Sequence, residues 1–556
     1  MKRALLVTAA FVAAVAIVIA FTLPPVRLAL PPADDGTVPG VIHIHTNRSD
    51  GHGSPADVAA AAARAGLKFI VLTDHGDATR SPNLPVYREG VLCLDGVEIS
   101  SKGGHYVVIG LSAAPYPFGG EARDVVEDVA RLGGFGIAAH PDSPKRDLQW
   151  DGWSAPFDGI EVVNPDTSWR ILATQGGLWS KLRLIAALGH YPFRPAEAIA
   201  GLLGDSSPLL ARWEELTRRR RVVAVAGTDA HAQMGPIPIP SYESSFNMLS
   251  VHVKPDGPLS GDATADAAAI LRGLRAGHVY STVDGFARPS SFEFRAANLA
   301  GRAQQGDELP VAGPVTLTVR SNAPPTFTTT VWRGDQILET GRHDSSLTIT
   351  APEGPAVYRV EIHASDRPGW PLWIASNPIY VRDTTRAAVT SEPVRSPAAL
   401  TRSLFDGRDV SAWRIERGPS SRGTVDGGTN GLHVRYQLGN DELEDLVALL
   451  VSFPQFVAAY DRVTFSARAD RPMRISVQLR TGRPGVPDER WQRSVYVDTT
   501  ARAQTVYFDD LTPTDDTSNR TPPLADMAYV MFVVDMTHAT SGAVGEFWVS
   551  DVSLQR

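Results

Sequence analysis

The chain has 556 residues, 43% hydrophobic and 21% charged, with 53 Lys+Arg against 61 Asp+Glu for a formal net charge of −8. That balance excludes a strongly basic chain built to neutralise phosphates, and no nucleic-acid polymer is expected as a partner; the apolar fraction excludes a disordered chain. The single cysteine, Cys93, excludes a disulfide within the chain, and 48 Gly with 42 Pro predict many turns and short strands.

At the N-terminus Lys2 and Arg3 precede an uncharged run, Ala4–Leu23. As a helix this run would span about 30 Å, the thickness of a bilayer core. Positive residues on its short side should stay cytoplasmic, so the bulk of the chain is expected outside the cytoplasm, on the periplasmic or extracellular side. No small-x-small cleavage site follows, which favours an uncleaved signal-anchor over a cleaved signal peptide. Pro24, Pro25, Pro31 and Pro32 continue it as a stiff stalk. Residues 1–39 are thus read as transmembrane helix and stalk.

Residues 40–300 alternate apolar runs with helical stretches. The expected strands are Val41–His45, Phe69–Leu72, Val91–Leu94, His105–Leu111, Phe135–Ala139, Gly159–Val163 and Val222–Ala226. Several are continuous apolar runs, the pattern of a sheet covered by helices. A helix follows the first strand, with Ser54 as its cap, Pro55 at its first position, Asp57 in its first turn and Gly66 after its end. Further helices are expected at Glu121–Leu132 and, capped by Thr264, at Ala265–Ala276. Repeating βα units predict a parallel sheet or barrel.

Residues 301–384 alternate apolar and polar residues in Thr316–Arg320, Thr328–Trp332, Ser346–Thr350 and Val357–His363, as in a small immunoglobulin-like β-sandwich. A Thr/Ser/Pro-rich linker, 385–401, leads into a second β-patterned module at 402–556. That module has the size of a two-sheet jelly roll and resembles galactose-binding-like sandwiches in pattern. Trp332, Trp370, Trp373, Trp413, Trp491 and Trp548 are expected mainly in cores, with glycan contact as the alternative use of this half.

Five of the 14 histidines sit in short motifs at strand ends. In His43-Ile44-His45, residues two apart on a strand share a face, and paired imidazoles suit zinc or another transition metal. Thr73-Asp74-His75-Gly76, Gly96-Val97-Glu98, Ala139-His140-Pro141 and Thr228-Asp229-Ala230-His231 are expected to close four further strands. In parallel βα architectures these ends carry the site. So many imidazoles and carboxylates converging without cations would repel or stay unsatisfied, and several metal ions resolve the conflict.

The motifs HIHTNRSDG from 43, LKFIVLTDHG from 67, GVEIS from 96, AAHPD from 138 and GTDAHA from 227 resemble those of the polymerase-and-histidinol-phosphatase (PHP) superfamily, and most resemble its exported CehA/McbA-type metallohydrolases. The resemblance covers about half the chain. It implies a distorted (β/α)7 barrel, followed here by the two all-β modules, with two or three divalent ions (zinc, manganese or iron) at the strand ends. Carried over by residue, His43, His45, Glu98 and Asp229 would hold one metal. Glu98 would bridge to a second on His140, and Asp50, His75 and His231 would hold the third position. His105 could match a further family histidine. The sixth strand lacks the usual histidine and offers Glu161 and Asn164 instead. Asp74 would orient a ligand.

A hydroxide bridging two metals would be the nucleophile, with Asp229 or His231 relaying a proton. Lys102, Lys145, Arg146 and His52 lie on nearby loops and could meet an anionic substrate, although ordinary solvated loop charge is the better account of them. Substrate choice is assigned to the loops Asp77–Arg88, Pro144–Pro156 and Met234–Ser245. The expected function is a membrane-anchored, exported phosphoesterase acting on small-molecule esters. The alternatives are a CehA-like carboxyl or carbamate ester hydrolase and, in another class, a non-catalytic, metal-containing surface protein that binds glycans.

Overall fold

The computed structural model describes residues 19, 21–32, 34–234, 237–367, 369, 371–383, 397–407, 409–428, 431–440, 445–452, 457–482, 488–514 and 519–556. The expected membrane helix, Ala4–Leu23, falls almost wholly outside the described residues, as does Trp370. Among the described residues no helix is long and apolar enough to cross a membrane. The chain forms two compact units, one of residues 1–112 and 121–391, the other of 113–120 and 392–556.

Seven strands of the first unit lie where the apolar runs predict them: β1 Val38–Ile44, β2 Phe69–Leu72, β3 Val91–Ser101, β4 Gly104–Ile109, β5 Phe135–Ala138, β6 Gly159–Val163 and β7 Val223–Ala226. β1, β2 and β3 pair in parallel, as do β5, β6 and β7. The segment after β7 returns to β1 through Thr228 N–H to Ile42 O (3.1 Å) and His45 N–H to Ala230 O (3.0 Å). These bonds close the ring.

Two features depart from a regular parallel barrel. β4 runs antiparallel to both neighbours. Only Lys102 and Gly103 join it to β3, far too few for a crossover helix, and Gly104 takes φ +105° to make the turn. The hairpin also prolongs β3 to Ser101, so Glu98 does not close its strand but lies within it, opposite Val107.

The first helix, α1 (Pro55–Arg64), follows its sequence signals. Ser54 Oγ accepts from Asp57 N–H, and Asp57 Oδ2 accepts from Ser54 N–H at 2.9 Å, a reciprocal cap. α2 (Ala122–Arg131) lies within the expected span. Between β6 and β7 stand four helices: α3 Pro165–Thr174, α4 Leu178–His190, α5 Pro195–Ala200 and α6 Ser207–Arg219. Arg218 and Arg219 at the end of α6 pair with Glu214 and Glu215 one turn back, at 2.9 and 3.1 Å. The helix α7 (Ala263–Arg275) is capped by Asp262, whose Oδ1 accepts from Ala265 N–H at 2.8 Å, and not by Thr264.

The barrel sheet continues past β1 into β8 (Ser250–Val253) and β9 (Val279–Thr282), which pair antiparallel. β9 in turn pairs with Leu372–Ser376, so strands of the small sandwich extend the same sheet. Asn377 locks the junction: its side chain accepts from Ala224 N–H and donates to Ala224 O and Val279 O, each at 2.8 Å. The facing sheet of four strands contains Phe292–Asn298, Val315–Ser321 and Ser346–Ala351.

In the second unit two six-stranded sheets carry an apolar core that includes Trp413 and Trp491. Trp373 in the first unit is also buried. Trp332 is half-buried under the Arg359 guanidinium, and Trp548 lies between the His433 ring and Arg468.

Gly136 on β5 is a packing requirement. A Cβ there would lie 2.1–2.2 Å from the ring of the buried Tyr106, which stacks on Trp150. Gly136→Ala is predicted to destabilise the protein by about 1–3 kcal/mol in chemical denaturation. Gly204→Ala, with open space around the added atom, should stay within about 0.5 kcal/mol.

Candidate metal centre

The strand ends and the β3–β4 hairpin bring six histidines and three carboxylates together. Five imidazoles form a closed circuit, His43–His45–His75–His105–His140, with successive ring centroids 5.2, 4.6, 5.4, 5.1 and 5.6 Å apart. His231 stacks on His45 at 4.2 Å. The buried Glu98 carboxylate occupies the middle. Its Oε2 lies 3.2, 3.1 and 3.4 Å from His43 Nε2, His45 Nε2 and His75 Nδ1. Its Oε1 lies 2.8 and 3.0 Å from His105 Nδ1 and His140 Nε2. Asp229 Oδ1 is 3.4 Å from both His43 Nε2 and His45 Nε2. Asp50 faces His45, His75 and His231 at 3.3, 3.6 and 3.3 Å.

The backbone is bent to make this arrangement. His43, His140 and Asp229 have φ of +65°, +29° and +46°, values L-residues avoid. Pairing of β1 with β2 slips between Val41 and Ile44. His43 and His45 therefore converge through a bulge and not through plain strand alternation.

Partners behind the rings fix their orientation. Glu161 Oε1 accepts from His43 Nδ1 at 2.5 Å, Leu148 O from His140 Nδ1 at 3.1 Å, and Asp229 O from His231 Nδ1 at 2.9 Å. Each bond holds one nitrogen as N–H and leaves Nε2 facing the centre, the arrangement that orients metal-binding histidines. Glu161 and Asn164 thus stand behind the donors and add none. Glu161 Oε2 also accepts from His140 N–H and from Asn164 Nδ2, at 2.8 and 2.9 Å. Asp74 likewise holds the loop after His45, accepting from Thr46 N–H (2.7 Å) and Ser49 Oγ (2.8 Å) and pairing with Arg48.

The donors fit divalent ions. His43 Nε2 and both ring nitrogens of His45 are buried without a hydrogen-bond partner. Orphaned buried polar atoms of this kind are costly. The spacings of 3.1–3.4 Å match two ligands on one tetrahedral zinc, which at bond lengths of about 2.0–2.1 Å stand about 3.4 Å apart. Among the described residues four overlapping groups meet the geometry for ligation: His43/His45/Asp229, His43/Glu98/His140, His75/Glu98/His105 and His45/Asp50/His75/His231.

Of the loop residues, Lys102 is exposed and reaches Glu121 at 4.0 Å. Lys145, Arg146 and the His52 ring are exposed and belong to none of the four groups. His252 and His278, which match no motif, pair with Tyr280 and Asp307. Sequence reasoning missed Asp166 and Trp169 on α3, which flank Asp229 in an adjoining cavity. Their signal was weak: Pro165 after Asn164, a helix start just beyond a strand end.

Charge is tightly coupled here. Burial opposes protonation of His45 and His140, but Asp229 and Glu98 outweigh it at His45, and Glu98 at His140, lifting each to about 9. Burial likewise opposes ionisation of Glu98 and Asp229, yet the surrounding imidazoles, His43 foremost, hold both well below the usual carboxylate range. Stripped of metal, the protein would keep His45 and His140 charged. The raised imidazoles stabilise the fold fully below the ordinary histidine value of about 6.5, and that contribution is lost as pH rises toward about 9. Chelator-treated protein is therefore predicted to lose Tm between pH 6.5 and 9, and protein reloaded with zinc or manganese to resist that loss. A flat profile in the stripped protein would contradict the coupling.

Gly227 shields the supporting carboxylate, since a Cβ there would lie 1.8 Å from Glu161 Oε1. Glu161→Gln and Gly227→Ala are each predicted to weaken metal affinity about 10–100-fold, read by competition with a chromogenic chelator.

No protein-family model matches the chain, and no curated protein does. Among solved structures it is similar to a family 11 carbohydrate-binding module of Clostridium thermocellum, 18% identical over 28% of this chain and 94% of that one, at TM-score 0.24. It is also similar to a family 30 carbohydrate-binding module, 13% identical over 28% and 88%, at 0.23. A two-domain protein of Bacteroides vulgatus containing a predicted PHP-like metal-dependent phosphoesterase is 14% identical over 64% of this chain and 98% of that one, at 0.30. Likenesses at this level carry nothing over to this chain, and the functional reading rests on the centre itself.

Proposed function

We propose that the chain is a metal-dependent hydrolase of phosphate esters of the PHP type. The observation that carries this reading is the Glu98 carboxylate, buried among five imidazoles with Asp229 beside it and with buried ring nitrogens left unpartnered. His43, His45, Glu98 and Asp229 would hold one ion. Glu98 and His140 would hold a second, with His105 against the same Glu98 oxygen, and Asp50, His75 and His231 a third. Divalent ions, when bound, activate water and polarise the bond under attack.

The chain's own residues supply the rest. Glu161 and the Leu148 carbonyl keep the Nε2 atoms of His43 and His140 turned inward. With two ions bound and the third position empty, His231 keeps Nε2 free at the partly exposed side of the centre, where it can pass a proton to the departing oxygen as the phosphorus–oxygen bond breaks. No serine or cysteine nucleophile is needed, and Cys93 is buried in β3 with its thiol pushed up to about 11 by burial. The uncharged run Ala4–Leu23 after Lys2 and Arg3 supports a membrane anchor with the bulk of the chain exported.

Purified full-length protein is predicted to carry two or three divalent ions and to hydrolyse p-nitrophenyl phosphate or bis-p-nitrophenyl phosphate, with turnover lost in His140→Ala. His231→Ala should lower kcat about 10²–10⁴-fold if it moves the proton; an unchanged kcat removes that role. Turnover of p-nitrophenyl acetate alone would replace the phosphoester assignment with a carboxyl-ester hydrolase. Mutant-insensitive activity after metal reconstitution would reject both.

A further inference from the structure

The centre has an apolar neighbour. A cavity of about 270 Å³ lies against it within the first unit; Asp229 and His231 of the centre line it, and Asp166, Thr228, Gln233 and Ser245 also belong to its lining. Trp169 of α3, Leu184 and Leu188 of α4, Ile199 of α5, and Leu202 and Met234 contribute apolar wall. Among the described residues no lysine or arginine lines it, and Arg170, which lies over Trp169, is already paired with Asp166, so the wall offers no unpaired cation to hold a second phosphate or a carboxylate. Sugar hydroxyls would likewise meet mostly carbon on that side, and burying them without hydrogen bonds is costly.

The wall is tied to the donors by a short chain of bonds. Glu161 holds His43 through Oε1 and Asn164 Nδ2 through Oε2, and Asn164 Oδ1 caps α3 by accepting from Thr167 N–H at 2.9 Å. One turn on, Trp169 Nε1 donates to Asp166 Oδ1 at 2.9 Å, and the Arg170 guanidinium lies over the indole at 4.7 Å. At the rim the Tyr191 hydroxyl meets Ser244 Oγ and accepts from Ser241 N–H, both at 2.8 Å. The indole is thus held at a fixed place relative to His43, as a group that positions one end of a substrate must be.

From this geometry we infer that the cavity binds an uncharged hydrocarbon group, alkyl or aryl, of the ester whose reacting atoms lie at Asp229 and His231. The substrate class becomes an amphiphilic ester, and sugar phosphates and nucleotides are disfavoured. The inference rests on the hydrolase reading for what happens at the centre, but the cavity's occupancy can be read without turnover.

The test uses full-length, metal-loaded protein and two series. In the first, calorimetry measures binding of methyl-, butyl-, hexyl- and phenylphosphonate. In the second, kcat/KM is measured for p-nitrophenyl phosphodiesters carrying the same four groups. Burial of hydrocarbon raises affinity up to about fourfold per methylene, so at least a tenfold gain from methyl to hexyl is expected. A gain with phenyl and none with hexyl would mark an aryl group, and the reverse an alkyl chain; either supports the assignment. In Leu184→Gln and Leu188→Gln the hexyl-to-methyl ratio should fall at least fivefold, an internal comparison that a partly unfolded sample does not mimic. Methyl, hexyl and phenyl compounds alike within twofold in wild type would overturn the inference. Size-dependent binding without hydrolysis of any ester would uphold the cavity and refute the hydrolase reading. Hydrolysis indifferent to the hydrocarbon group would do the opposite.

Discussion

A carboxylate placed out of water among five imidazoles is the constraint on which the rest of this structure depends. Glu98 is 1% exposed and faces His43, His45, His75, His105 and His140 at once. A buried charge must be compensated or it destabilises the fold. The imidazoles can compensate it only by taking protons, which is why His45 and His140 are lifted to about 9. Divalent cations do so without protons and also give the unpartnered nitrogens of His43 and His45 something to bind. One set of atoms therefore links proton uptake, metal binding and the stability of the barrel's open end.

The distortions of the fold serve that carboxylate. A regular parallel strand would end near Asp95 and Gly96. The β3–β4 hairpin carries the chain beyond and brings His105 back onto Glu98 from the opposite direction. The left-handed backbone at His43, His140 and Asp229 turns three donors inward, at a cost of order 1–3 kcal/mol for each residue. What holds them is local: Glu161 and Thr228 on either side of His43, and Glu161 again at the His140 amide. Glu161 thus links two bent donors to each other and, through Asn164, to the helix that walls the adjoining cavity.

Much of this was legible in the sequence, for physical reasons that differ by residue. The seven strands announced themselves because a covered parallel sheet needs continuous apolar runs. α1 did so because Ser54, Pro55, Asp57 and Gly66 each satisfy a distinct demand of a helix end. The ligand-bearing motifs stood out because imidazoles and carboxylates rarely follow apolar strands in series without a shared purpose. The rest depends on contacts distant in sequence. Nothing in Ile160-Glu161-Val162 says that this glutamate backs His43, more than a hundred residues earlier. The turn at Lys102–Gly103 is too short to signal that a strand reverses. The fusion of the small sandwich to the barrel sheet rests on pairing of β9 with Leu372–Ser376. Four helices between β6 and β7 passed unread because α3, α4 and α5 are mixed in polarity and were not marked out by a long apolar stripe.

Glu98 is placed to join more than one cation, because its two oxygens face separate groups of histidines. Titration of chelator-stripped protein with cobalt(II), followed by its visible ligand-field absorption, tests it most directly. The account predicts saturation at two or more equivalents per chain, and in Glu98→Gln a loss that affects more than one equivalent together, since both carboxylate oxygens face separate groups of histidines. Saturation at one equivalent, or a Glu98→Gln protein that binds cobalt like wild type, would contradict it.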